Sequence, residues 1–137
     1  MIETVRVDQW LHATLTADGT LAALVADRVY ADLAPQSARW PAVVFNEQAP
    51  VDTLGIDGAR ILTSALFQVK VITDEPSWQG LGRQAADRVD ELLHGASGAA
   101  GGVAVGTCHR EQTVRFVEVT EGRQYRHLGG LYRINVY

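Results

Sequence analysis

Hydrophobic and polar positions alternate along this chain with two periods, and each change of period marks an element. Val7, Trp10, Leu11 and Leu15 recur at helical spacing, Asp8 suits a first turn, and Gly19 breaks the run. "TLAALVADR" predicts a short second helix, with Thr20 as its N-cap and Leu21, Leu24 and Val25 as its apolar face. Val29 and Tyr30 lead into a polar stretch, "ADLAPQSARW". "PAVVFNE" then predicts a buried strand, with Pro41 at its first position, where a missing N–H is tolerated. "APVDTLGIDGAR" reads as a loop or hairpin tip, because Gly55 and the pair Asp57-Gly58 are turn residues. "ILTSALFQVKVIT" predicts a long strand with Ala65, Phe67, Val69 and Val71 on one face and Leu66, Gln68, Lys70 and Ile72 on the other.

The clearest helix is "DEPSWQGLGRQAADRVDELLHG", starting at Pro76 or Ser77, with Trp78, Leu81, Ala85, Val89 and Leu92 as its stripe. His94 sits in its last turn, a position favoured by the helix dipole, and Gly95 is a natural stop. "GASGAAGG" reads as a flexible connector. "VAVGTCHREQTVRFVEVTE" predicts a strand with an irregularity near Gly106. "QYRHLGGLYRINVY" follows the turn "EGR", so the two form an antiparallel hairpin.

The predicted order is α, α, β, β, α, β, β. It implies an α+β fold, a mixed, mainly antiparallel sheet of about four to five strands with helices packed on one face. The 137 residues form one domain, 1–137. The expected core is Trp10, Leu11, Val25, Val43, Phe45, Phe67, Val69, Trp78, Leu81, Val89, Leu92, Phe116, Tyr132 and Ile134.

Composition changes this picture little. Apolar residues make up 47% and charged residues 20%, ordinary values for a globular chain. The net charge of −4, with both signs interspersed, disfavours nucleic-acid binding through a basic patch. Cys108 is alone, so it forms no internal disulfide and no cysteine zinc cluster. The N-terminus is acidic and amphipathic, unlike a signal peptide, and no apolar run is long enough to span a bilayer. No membrane association is expected.

Candidate chemistry is sparse. Neither a dinucleotide nor a P-loop glycine pattern is present. His12, His94, His109 and His127 lack a zinc-binding spacing, although His109 and His127 have the chance to face each other across the last hairpin. The carboxylates of "DRVDE" and the pair Asp74-Glu75 read as solvated helix positions before they read as acid–base pairs. Ser37, Ser64 and Ser77 lie in no nucleophile elbow, and Cys108 and His109 point to opposite faces of a strand. No cofactor and no enzymatic activity are expected. Arg39 and Trp40 are residue types enriched at protein interfaces, and Trp40 alternatively plugs the top of the core.

One resemblance covers nearly the whole chain. "LAALVADRVYADLAPQSARWPAVVFNE" is similar to the signature of the tail terminator, or tail completion, proteins of long-tailed phages and gene transfer agents. It is carried by Leu21, Leu24, Val25, Asp27, Arg28, Val29, Tyr30, Pro35, Gln36, Pro41, Val43, Val44 and Phe45. "ALFQVKVI", "GRQAADRVDELL" and "GGLYRINVY" follow in the expected places. The resemblance implies a structural virion protein that forms a ring, usually a hexamer, on the head-proximal end of the tail tube. Such a ring stops tube polymerisation, meets the neck proteins of the head and lets DNA pass without binding it specifically. Assembly would take place in the host bacterial cytoplasm. The implied interface residues are Gln36, Arg39 and Trp40 in the proline-containing loop, and Asp52, Thr53, Leu54, Asp57 and Arg60 around the hairpin tip. Another head–tail connector or head-closure protein is the nearest alternative. A small α+β ligand-binding protein or enzyme is the alternative from another class.

Overall fold

The computed structural model describes residues 1–137, the side chain of Gln79 excepted. Its elements run α1 (Glu3–Thr16), α2 (Gly19–Val25), β1 (Val29–Ala31), β2 (Ala42–Leu54), β3 (Arg60–Asp74), α3 (Glu75–Ser77), a π-helical turn (Trp78–Gly82), α4 (Arg83–Leu93), β4 (Gly98–Ala100), β5 (Val103–Thr120) and β6 (Arg123–Val136). The strands form one sheet in the order β1-β2-β3-β6-β5-β4. Only β1–β2 is parallel. The sheet is mixed and mainly antiparallel, as the patterning implies, but has six strands where four to five are expected. The two extra strands are three residues each. Segments that short carry no readable alternation, and β4 lies within the stretch expected to be a flexible connector.

The central strand β3 shows why the alternation was informative. Ala65, Phe67, Val69 and Val71 are all buried and face the helices. In the register they meet Ile134, Tyr132, Gly130 and Leu128 of β6. Val7, Leu11 and Leu15 of α1, Leu21 and Val25 of α2, and Ala85, Val89 and Leu93 of α4 close over that face. No helix is long and apolar enough to cross a membrane.

Three core expectations need correction. Leu81 and Phe116 are each 42% exposed, and Leu93, not Leu92, is the fully buried residue at the end of α4. The cause on the helix is the π turn at Trp78–Gly82. A π turn holds an extra residue, so the face presented after it rotates relative to an unbroken α-helix. The buried positions then run Ala85, Val89, Leu93. Phe116 lies on the sheet face away from the helices, stacked on His127.

Caps and strand ends also differ in detail. Asp18, not Thr20, caps α2: its carboxylate accepts the Leu21 N–H at 2.8 Å. It also accepts two bonds from the Arg88 guanidinium, at 2.9 and 2.7 Å, which ties α2 to α4. The α3 start lies at Glu75, one or two residues before the expected Pro76 or Ser77, because Asp74 accepts the Ser77 N–H at 3.1 Å. Strand β2 runs on through Leu54, so "APVDTL" is strand and only residues 55–59 turn. The irregularity expected near Gly106 is present as a register shift between Val105 and Thr107. A second shift follows between Arg110 and Gln112, and another lies in β2 between Glu47 and Ala49.

Candidate functional site

The expected interface residues fall into two groups at opposite ends of β2. That strand has 13 residues, so the groups lie roughly 40 Å apart along it. At its start, Gln36 and Arg39 are exposed on the loop and Trp40 is half-buried. The loop is pinned at both ends. Asp32 donates its N–H to the Phe45 carbonyl at 2.8 Å, and Arg28 Nε donates to the Pro41 carbonyl at 2.9 Å. The Trp40 ring meets Tyr125 edge-on at 5.4 Å. Together with Asp74, Glu75, Pro76, Arg123 and Gln124 these rings line a cavity of about 330 Å³. Trp40 therefore sits between the proline loop and the β5–β6 turn and leaves part of its surface open.

At the far end the polar members are engaged in holding the β2–β3 tip. Asp57 accepts the Ala59 N–H at 3.1 Å, and Gly58, at φ 83°, makes the turn that a side chain would strain. Thr63 donates to Asp52 at 2.7 Å. Arg60 donates to the Met1 carbonyl at 2.8 Å and pairs with Glu3 at 3.3 Å, fastening the tip to the start of α1. Thr53 is exposed. Leu54, Ile56, Val51 and Ile61 stand out into solvent, Ile56 completely. The tip is thus a stiffened hairpin that carries several exposed apolar side chains.

Three further constellations were not singled out in the sequence. On the helix side, Arg83, Arg115 and Arg126 each place a guanidinium 5.3 to 5.8 Å from the Trp78 ring. Arg126 also pairs with Glu75 at 3.0 Å. At the opposite edge, burial, then Asp32 and Glu47, push the Asp8 carboxyl above its ordinary value. Asp8 lines the groove between α1 and β1 with His12 and Phe45, and Asp32 and Glu47 lie near enough to act on its charge. On the outer face, His127 is buried, stacks on Phe116 at 4.2 Å and bonds Glu118 through Nε2 at 2.9 Å. Its Nδ1 has no partner among the described residues. Burial is the main cause that lowers its pKa, and Lys70 adds to it against the opposing pull of Glu118. Lys70 stands 5.2 Å from the Phe116 ring. The hairpin register, Phe116 opposite His127 and Val117 opposite Arg126, was the signal that would have grouped these side chains. The bulge at residue 111 hides it by reversing the alternation midway along β5.

The remaining histidines are not brought together. His109 lies opposite Arg133, not His127. His94 does not serve the helix end through its ring; Nδ1 accepts the Arg110 N–H at 3.1 Å instead. His12 borders the groove beside Asp8. Cys108 is buried, and its thiol is pushed up to about 12 by burial and by Asp90. Among the described residues, no group of three or more His, Cys, Asp or Glu is placed to hold a metal ion.

Comparison with known proteins gives this arrangement a context. A chain from the structure described as "Virion of native gene transfer agent (GTA) particle" is similar in fold, with a TM-score of 0.77 and 20% identity, covering 98% of this chain and 97% of that one. A comparison with curated protein sequences gives no match. The family described as "Tail completion protein gp17" matches residues 9–128. That span takes in the proline loop, both hairpin tips, α2, α4 and the second half of α1, and the chain belongs to the tail completion protein gp17 family.

Proposed function

We propose that this structural tail protein forms a ring, a hexamer, that caps the head-proximal end of a phage-type tail tube. The ring ends tube polymerisation and joins the tail to the neck proteins of the head. One observation carries the reading. A single sheet presents two different exposed surfaces at its opposite ends, the Trp40–Tyr125 cavity and the tip that carries Leu54 and Ile56. A subunit that joins two different partners across a ring needs two such end surfaces. The loop residues Gln36, Arg39 and Trp40 then serve one end, and Asp52, Thr53, Leu54, Asp57 and Arg60 shape the other. The net charge of −4 supports passage of DNA without retention, since a basic lining would bind phosphate. The role is non-catalytic, and the site of action is the virion, after assembly in the host cytoplasm.

The test is absolute mass by light scattering, together with tube length by electron microscopy when tube protein polymerises with and without this chain. The expected result is a sixfold mass, alone or on the tube, and arrested tube growth. Tubes that lengthen unchanged, with this chain monomeric throughout, refute the reading.

A further inference from the structure

The two outer edges of the sheet are each covered for only part of their length. On β2, strand β1 pairs with Val43, Val44 and Phe45, and Asp32 takes the Phe45 carbonyl. Beyond that, residues 46–54 pair with no other described strand on that side. On β5, strand β4 pairs with Val103, Ala104 and Val105. Gly95 then takes the Cys108 carbonyl at 2.7 Å, and His94 takes the Arg110 N–H. Residues 111–120 are bare in the same way. Two bare edges of nearly equal length thus stand on opposite sides of the molecule and are staggered: through the pairings Asn46 lies level with Gln112, and from that level 46–54 run towards the β2–β3 tip and 112–120 towards the β5–β6 turn. An uncovered edge offers a row of backbone donors and acceptors to another strand.

The directions match as well. Three antiparallel pairings separate β2 from β5: β2–β3, β3–β6 and β6–β5. The odd number makes β5 run opposite to β2. A second copy turned about an axis inclined to the strands, as strands tilt in a closed barrel, brings the bare part of its β2 level with the bare part of the first copy's β5, and the two meet antiparallel.

Charge separates this contact from its competitor. Glu47 lies on the helix side of β2, opposite Phe67, and joins Asp8 and Asp32 beside one edge. Arg115 lies on the helix side of β5, opposite Leu128, and joins Arg83 and Arg126 at Trp78 beside the other. A twofold contact of like edges would set carboxylates against carboxylates, or guanidiniums against guanidiniums. A head-to-tail contact sets one against the other.

We infer that successive copies of this chain join edge to edge, the bare part of β5 in one pairing antiparallel with the bare part of β2 in the next, with the Arg83–Arg115–Arg126 cluster facing the next copy's Asp8, Asp32 and Glu47. The inference rests on the ring reading and specifies its subunit contact. A heterologous contact of this kind leaves a free edge at each end, which only a closed ring removes. The bulges beside Glu47 and at residue 111 limit sliding of the two edges, because each breaks the regular pairing at one place.

Cross-linking of cysteine variants with a short bismaleimide tests the contact. Ala49→Cys and Val114→Cys lie on the same outer face, opposite Leu66 and Gly129. Cys108 is buried and does not compete. A mixture of the two single variants is expected to give a 49–114 product, each alone none, and the double variant a ladder. Val51→Cys replaces Ala49→Cys should the latter fail to fold by circular dichroism. Glu47→Arg is expected to lower the yield about tenfold, and Arg115→Glu in the partner to restore it. Products between identical variants, absence of the 49–114 product, or a yield indifferent to Glu47→Arg overturn the inference. A sixfold mass of the unmodified chain alongside any of these results keeps the ring and rejects only this contact.

Discussion

Asp18 performs two tasks that substitution can separate. Its carboxylate caps α2 through the Leu21 N–H and accepts a two-pronged bond from Arg88 of α4. Replacement of a capping residue by Ala costs about 1 kcal/mol, and a partly exposed ion pair adds about 0.2–1 kcal/mol. Asp18→Ala is therefore expected to cost about 1.5 kcal/mol. Asp18→Asn keeps a good cap and loses the charge, so it should cost about 0.5 kcal/mol. For a chain of this length each 1 kcal/mol corresponds to a Tm change of about 4 °C. The two variants should then melt about 6 °C and about 2 °C below the parent at pH 7. Thr20→Ala, at the position the sequence pattern favours as the cap, should leave Tm within about 1 °C, since Thr20 is exposed. The Arg88 side chain and the Leu21 N–H hold the Asp18 carboxyl down at about 2, below its ordinary 3.8. Its stabilising effect is present above pH 3.8 and is lost as pH falls towards 2. The deficit of Asp18→Asn should shrink across that window and remain constant above it. Thermal melts followed by circular dichroism from pH 2 to 7 measure all of this. Equal losses for Asp18→Asn and Asp18→Ala, or a Thr20→Ala loss as large as that of Asp18→Ala, would refute the assignment.

Leu93→Ala should cost about 2–5 kcal/mol, whereas Leu81→Ala, on the exposed side of the π turn, should cost far less; urea titration of both checks the rotated helix face. Gly129→Ala places a Cβ against the Val69 carbonyl oxygen and 2.5 Å from Lys70 Cα in mid-sheet, so loss of soluble folded protein or a Tm drop above about 10 °C is expected. Because burial depresses the His127 pKa below 6.5, the unfolded chain binds more protons just below that pH, and stability should fall as pH drops through 6.5. His127→Gln should remove this part of the slope in denaturant midpoints measured between pH 5 and 7.5, and an unchanged slope would contradict the assignment.

Long, one-register elements were legible in the sequence. Val7, Leu11 and Leu15, and the alternation from Ala65 to Val71, each repeat one period against one neighbour, so the pattern and the burial agree. Legibility failed where the period is interrupted. The π turn at Trp78–Gly82 displaced the stripe from Leu92 to Leu93, and the bulges in β2 and β5 hid which side chains share a face. The three-residue strands were too short to carry a period at all. For the candidate interface, the residue types in the loop and tip were readable, but their separation to the two ends of β2 was not, because β2 extends through a segment rich in turn-forming residues. The Trp78 arginine cluster depends on four elements meeting, the π turn, α4, β5 and β6, which no local pattern encodes.

The pairings of β3 with β2 and β6 each extend over most of the strand, and both of its ends lead into opposite tips of the molecule. A force applied between those tips therefore acts along the strands, and the backbone bonds on both sides of β3 resist it together, in shear. The same force applied across the sheet would open the ladders one bond at a time. The subunit is mechanically stiff in the direction joining its two end surfaces and weaker across it, which favours axial load-bearing without any added covalent link.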